Sequence, residues 1–260
     1  MEIRIDFTLS AQQNADNYYK RSKKLMAKKE GAEKAIEELS KRLAEEREKS
    51  SNEEKRKLVV TRQKEWYEKF HWFFTSDSLL AIGGRDAHQN ELINSRYFED
   101  NDLFFHADIF GASAVVLKNG TNASQNAKEE AAQFAACFSS AWERMLSSVD
   151  VYALKKEQVT KSTNKGSLGT GSFLLKGERE WFKGAKLQLV AFVEKERFCI
   201  YPRSSFERVG FKGAYVEVSQ GNIKKSDAAK RLSSFLGYEN IDDIMRSLPA
   251  GTFSLVQHNA

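Results

Sequence analysis

"WYEKFHWFFTSDSLLAIGG", residues 66–84, sets an aromatic run and an aliphatic run on either side of a Ser-Asp-Ser turn. Runs of this composition bounded by turn residues predict two strands, 70–75 and 79–83, joined as a hairpin. The aromatics Trp66, Tyr67, Phe70, Trp72, Phe73 and Phe74 are read as core, with stacking platforms for unpaired bases as the alternative use. Gly83 and Gly84 end the second strand, where glycine permits a sharp exit or the close approach of another backbone.

Working outward, a short helix is expected over 88–95 and strands over 103–107 and 113–118. Ala127, Ala131, Phe134, Phe138, Ala141 and Met145 recur at helical spacing and predict one core helix over 124–145, lying on a sheet. Strands near 149–154, 171–176, 186–193 and 197–201 complete an α+β body with a mixed or antiparallel sheet. Beyond Pro202 and the "RSSFERVG" connection, the pattern reads strand 214–218, helices 225–236 and 240–247, and strand 252–256.

Upstream, Ala11, Ala15, Tyr18, Ser22, Leu25, Lys29, Ala32, Ile36, Leu39 and Leu43 follow alternating steps of four and three, the spacing of a coiled-coil seam. Ser50, Ser51 and Asn52 interrupt that pattern and could cap a second helix beginning with Glu53 and Glu54. The expectation is an antiparallel coiled-coil hairpin, and the rival is a single helix forming a homodimer through the seam. The expected divisions are a helical arm at 1–68, an α+β domain at 69–201 and a small C-terminal α/β segment at 202–260.

Composition narrows the function. The longest apolar runs, such as "LVAFV" at 189–193, fall far short of the roughly 20 residues of a membrane-spanning helix, so no membrane insertion is expected. The polar start "MEIRIDF" does not read as a signal peptide. Two cysteines, Cys137 and Cys199, sit outside any zinc-binding spacing and suit a reducing cytoplasm as buried small hydrophobes. A net charge of +5 favours a polyanionic partner. Eight basic against three acidic residues between Leu154 and Lys186 concentrate that charge in one stretch.

That stretch holds "TKSTNKGSLGTGSF", residues 160–173. Gly166, Gly171 and Ser172 approach the spacing of a phosphate-cradling P-loop, but the lysine that must precede the hydroxyl residue is missing. The apolar residues that follow read as strand where a P-loop needs a helix. It is read as a basic, glycine-flexed loop that brings Lys161, Lys165 and backbone amides around Gly169, Gly171 and Ser172 to RNA phosphates. Arg85, Asp86, Gln89 and Asn90 form a second polar cluster able to face phosphate or base edges. The alternative is that Arg85 and Asp86 pair and cap the next helix. His106 and Asp108 share one side of a strand, and with Ser113 they supply the residue types of a nucleophile–base–orienter site. A hydrogen-bonded structural histidine beside a glycine turn is the favoured reading there, and a metal site would need a third ligand such as His71 or His88.

Four blocks in order, "WYEKFHWFFTSDSLLAIGGRDAHQNELINSRY", "DLFFHADIFGASAVVLKN", "EEAAQFAACFSSAW" and "VTKSTNKGSLGTGSFLLKG", resemble the NFACT-R domain. This module, with an RNA-binding role, belongs to the ribosome quality-control factors NEMF and RqcH. The resemblance covers about residues 66–185; "IRIDFTLSAQQNADNYYKRSKKL" is similar to the start of the family's coiled-coil arm, and the tail after 213 to the C-terminal segment of archaeal and eukaryotic members. It implies a noncatalytic cytoplasmic module, without cofactor or metal, that binds large ribosomal subunits still holding peptidyl-tRNA. There the family retains tRNA so that the ribosome itself adds an untemplated C-terminal tail. The implied partners are large-subunit RNA, tRNA and, since the family's N-terminal domain is absent from this sequence, a separate chain carrying NFACT-N. The expected RNA-binding residues are Arg85, Asp86, Gln89, Asn90, His106, Asp108, Ser113, Lys161, Lys165, Gly169, Gly171 and Ser172. A domain of this kind with a helical extension also resembles a nucleic-acid receptor, so a free DNA or RNA receptor or adaptor is the alternative. An enzyme using His106, Asp108 and the glycine loop is the third.

Overall fold

The computed structural model describes residues 4–57, 63–163, 166–167 and 169–259, with side chains described among them outside 44–57 and 162–167. It contains two compact units, Met1–Gln63 and Lys64–Ala260.

In the first unit α1 (Ala11–Lys57) is a single helix. It opens on a capping box, in which the Ser10 hydroxyl accepts from the Gln13 amide at 3.3 Å and the Gln13 side chain accepts from the Ser10 amide at 2.8 Å. The turn expected at Ser50–Asn52 is not formed, because α1 runs through it. Serine and asparagine cost only tenths of a kcal/mol, up to about 0.7, in a helix, and the flanking Glu, Lys and Arg residues are strong helix formers. The remainder of the expected returning helix includes 58–62, which lie outside the described residues. On the seam, Leu25, Ile36, Leu39 and Leu43 are 57%, 66%, 60% and 53% exposed.

The second unit begins with β1 (His71–Phe74) and β2 (Leu80–Gly83), the predicted hairpin, pairing Trp72 with Ile82. Next come α2 (Ala87–Leu92), one π turn at Ile93–Tyr97, β3 (Leu103–Ala107) and β4 (Val115–Leu117). The helix expected over 124–145 is divided into α3 (Gln125–Cys137) and α4 (Ser140–Glu143). Ser139 makes the break: its backbone is extended, and its hydroxyl donates to Ala136 O at 2.7 Å and accepts from Ala141 N at 3.2 Å.

The chain continues through β5 (Ser148–Lys155) into short strands β6 (Val159–Thr160), β7 (Ser162–Thr163), β8 (Gly166–Ser167) and β9 (Leu174–Leu175), which pair β6 with β9 and β7 with β8. The strand expected over 186–193 is two, β10 (Glu180–Lys186) and β11 (Leu189–Glu194), followed by β12 (Arg197–Pro202). The "RSSFERVG" connection is a helix, α5 (Arg203–Val209), closed by Gly210 in the left-handed region at φ 66°. Then come β13 (Tyr215–Lys224), α6 (Lys225–Leu236), α7 (Ile241–Ser247) and β14 (Thr252–His258).

Apart from the β6-β9 and β7-β8 pairs, the strands form two antiparallel sheets, one ordered β1-β2-β4-β3-β5-β10 and the other β12-β11-β13-β14. α3 joins them. Its Phe134 ring lies 4.7 Å from Phe73, and its fully buried Glu130 accepts from the Ser76 amide and hydroxyl and from Arg208 of α5. Three donors on one carboxylate offset the desolvation of the buried charge. Tyr201 of β12 packs against Trp72 and Phe73 of β1, and these two with Tyr67 and Phe70 are core, whereas Phe74 is partly buried and Trp66, stacked on Tyr97, is 45% exposed. Strand alternation puts Phe105, Val151 and Phe182 on a buried face and the row His106, Tyr152, Trp181 on the opposite one. Cys137 and Cys199 are buried and unbonded to each other, and burial pushes both thiols up, Cys199 to about 12.

Candidate nucleic-acid interface

The turn after β2 is built from polar side chains directed at backbone. Asp86 caps α2 by accepting from the Gln89 amide at 2.8 Å, and Gln89 accepts from the Arg85 amide at 3.1 Å while donating to Lys69 O at 3.1 Å. Arg85 does not pair with Asp86; its Nη2 donates to the carbonyls of Phe70 (2.9 Å) and Glu68 (3.3 Å). The Asn90 side chain accepts from Ala114 N at 3.1 Å, and the Ser113 hydroxyl donates to Gly84 O. Gly84 is required for that closeness, since a Cβ there would stand 2.8 Å from the Asn90 amide nitrogen. Four of the expected RNA-contacting side chains, Arg85, Gln89, Asn90 and Ser113, thus hold the turn onto β4 and onto the entry to β1.

The basic loop folds back onto α2. Lys161 pairs with Glu91, whose carboxyl is held below its usual range by that ammonium and, more weakly, by the Gly171 amide. Gly171 has φ 76°, and a Cβ on it would come within 2.8 Å of Ala87 Cβ. The Ser172 amide donates to Gly169 O at 3.1 Å, closing a turn with both residues exposed. Lys165 lies outside the described residues. Elsewhere in the basic stretch Lys183 pairs with Asp150 at 2.8 Å and Lys156 donates to Asn94 O at 2.8 Å. The net positive field is therefore smaller than a count of lysines implies.

Between the turn, the loop and the β3–β5 wall opens a cleft of about 820 Å³. It brings Arg85, Asp86, Asn90, His106, Ser113, Gly171 and Ser172 together, with His71 and Phe138 on another side and Pro249 and Ala250, from before β14, on the rim. His106 lies nearly parallel to Phe104, and its Nδ1 is 3.2 Å from the Tyr152 hydroxyl. Burial lowers the His106 pKa. His71 stacks on Phe138 at 4.0 Å, and burial, with the charges of Arg85 and Lys225, pushes its pKa well below the usual imidazole value. Asp108 is outside the cleft lining, next to the lining residue Ile109, with its amide on Asp150 O at 2.8 Å and its side chain exposed. Among the described residues no hydrogen bond links His106, Asp108 and Ser113 into a chain, and no group of three or more His, Cys, Asp or Glu is placed to hold a metal.

The wall also carries residues the motif reading passed over. Arg179 lies 4.4 Å over Tyr152 and 5.7 Å over Trp181, and Lys183 lies 4.1 Å over Trp181, which is 40% exposed. Phe110, at the mouth, is 90% exposed. One signal was available: Arg179, Trp181 and Lys183 alternate in sequence and therefore share a strand face. Cations interleaved with exposed aromatics are the composition of a single-strand nucleic-acid surface.

Residues 69–177, which include most of this cleft and its loop, match the family described as NFACT protein RNA binding domain. This stretch is an NFACT-R domain of the NEMF/RqcH family. It is 33% identical over 218 residues to the archaeal Rqc2 homolog aRqcH of Methanocaldococcus jannaschii, covering 81% of this chain and 32% of that protein. The ribosome quality control complex subunit NEMF homolog of Drosophila melanogaster is 36% identical over 195 residues, 72% of this chain and 19% of its own length. Ribosome quality control complex subunit 2 of Schizosaccharomyces pombe is 26% identical over 251 residues, 94% of this chain and 24% of its own. The chain thus spans about a third or less of the length of these relatives.

Proposed function

We propose that this chain is the RNA-binding part of a ribosome quality-control factor: a noncatalytic module that holds large ribosomal subunits carrying stalled peptidyl-tRNA and supports tailing or rescue of the nascent chain. The observation that carries this is the RNA-binding-domain match over the residues that build the cleft. The names of the relatives supply the ribosomal setting, and a cytosolic one. Among the described residues no helix is long and apolar enough to cross a membrane.

A noncatalytic role agrees with how the candidate catalytic groups are used. The Ser113 proton goes to a carbonyl, and His106 faces a tyrosine hydroxyl. Neither is set up as a nucleophile with its base. Large-subunit RNA and tRNA are the proposed ligands, a separate chain carrying NFACT-N is the proposed protein partner, and the exposed stripe of α1 is a candidate homodimer surface. The RNA contacts fall on the outer face of β5 and β10 and the cleft mouth, with Asp108, Lys161, Gly169, Gly171 and Ser172 at or near its rim. Arg85, Asp86, Gln89, Asn90 and Ser113 act mainly by holding that rim in shape.

Phosphate contacts make the affinity steeply salt-dependent. Purified chain should co-sediment with large subunits at low salt and be released as salt rises, with tRNA competing better than duplex DNA. Failure to bind subunits or any RNA at low salt rejects the function. Equal competition by duplex DNA replaces it with a free nucleic-acid receptor.

A further inference from the structure

The cleft is nearly neutral. Its charged lining residues are Arg85 and Arg144 against Asp86 and Glu143, and its two imidazoles, His71 and His106, are both held toward the uncharged form. Such a lining does not favour a phosphate, which would meet two carboxylates and only two cations. It nonetheless contains polar atoms that lack a partner. His71 is 8% exposed, and its Nδ1 has none. The Nε of Arg85, another lining residue, is likewise buried and unpartnered. His71 has a backbone partner at Ser247, its unpartnered Nδ1 can accept in the neutral form, and Arg85 Nε–H is a donor. Buried polar atoms are ordinarily paired, so His71 Nδ1 and Arg85 Nε, closed to solvent on residues of the cleft lining, leave an acceptor and a donor that a ligand or a water reaching them would satisfy.

The mouth narrows the choice further. Phe110 keeps its ring in solvent although its loop is fixed: the Ser140 hydroxyl donates to Phe110 O at 2.6 Å and the Ser140 amide to Gly111 O at 3.1 Å. An aromatic ring held rigidly outward beside a cavity is a stacking surface. Tyr152, 4% exposed, contributes to the inner lining with Arg179 already over its ring, so Phe110 is the ring left open for stacking.

Resting on the RNA-binding function proposed above, we propose that the cleft seats one unpaired nucleobase. The base passes Phe110 and lies beside Tyr152 and His106, with its hydrogen-bonding edge toward His71 Nδ1 and Arg85 Nε. A base is flat, uncharged and bears adjacent donors and acceptors, and the cavity lies in the range of small-ligand sites.

The test compares three fluorescein-labelled RNAs by anisotropy: a short single strand, the same strand with abasic central positions, and the same strand annealed to its complement. The intact single strand should bind about tenfold more tightly than the other two. Phe110→Ala should bring it down to the abasic level, and Phe110→Trp should restore it, with unchanged thermal melts for both variants. If all three RNAs bind alike and Phe110→Ala changes nothing, the base site is wrong and the RNA-binding function stands. If none binds, the function itself fails, and the base site with it.

Discussion

The turn from Gly84 to Asn90 lines the cleft, the outer face of β5 and β10 adjoins it through Tyr152, and the two use their polar groups differently. In the turn, Arg85, Gln89 and Asn90 reach backbone amides and carbonyls of neighbouring segments, so apart from Arg85 Nε their hydrogen-bonding capacity is largely consumed within the fold. On the wall, Arg179 rests on the rings of Tyr152 and Trp181, Lys183 rests on Trp181 while paired with Asp150, and the exposed ring of Trp181 stays within reach of a partner. A dense polar motif can therefore be scaffolding, while the ligand-facing surface comes from residues scattered over several strands.

If the turn is scaffolding, breaking it should cost stability more than it costs any specific contact. Gly84→Ala places a methyl against the Asn90 backbone, forcing α2 away from β2. The expected loss is about 1–3 kcal/mol of unfolding free energy, read from urea midpoints. An unchanged midpoint with lost RNA affinity would make the turn a contact surface instead.

Acid should separate the two sides of the cleft next. An unfolded imidazole titrates near 6.5, and folded His71 titrates well below that. Between those values the unfolded chain binds a proton that the folded chain does not, so stability is complete above pH of about 6.5 and falls as pH drops toward the folded pKa. The slope is at most about 1.4 kcal/mol per pH unit for each such group. His106 shifts in the same direction, so it adds to the slope with the same sign. His71→Gln should flatten a melting-temperature profile taken from pH 7 to 5, leaving the smaller His106 part. A wild-type profile already flat over that range rejects both assignments.

The hairpin, the α+β class and the core face of α3 were legible because each rests on a period of apolar residues within one segment. The break at Ser139 was not, since it depends on a serine hydroxyl choosing backbone partners once the helix end meets the loop at Gly111 and Ala112. The missed turn in α1 has the reverse cause: Ser50, Ser51 and Asn52 look like a stop, but no glycine or proline enforces one. At the candidate site, residue types gave the location but not the roles. Whether Arg85 faces a ligand or two carbonyls depends on segments 15 and 17 residues away. His71 entered the sequence reading only as a possible third metal ligand, and only the packed structure shows its Nδ1 without a partner.

The smallest effect tests the contrast most directly, at Lys161. It looked in sequence, together with Lys165, like a phosphate contact, yet it is paired with Glu91, and both side chains are partly exposed. A pair of this kind contributes under about 1 kcal/mol, so Lys161→Ala should barely move the melting temperature. A free phosphate-contacting lysine changes the slope of log affinity against log salt by about 1. Because Glu91 already neutralises this one, Lys161→Ala should change the slope by clearly less. Glu91→Gln should do the opposite, releasing the ammonium, steepening the slope and tightening RNA binding modestly. If Lys161→Ala costs a full unit of slope while Glu91→Gln has no effect, the pair opens on binding, and the loop belongs with the ligand-facing wall instead of with the turn that holds it.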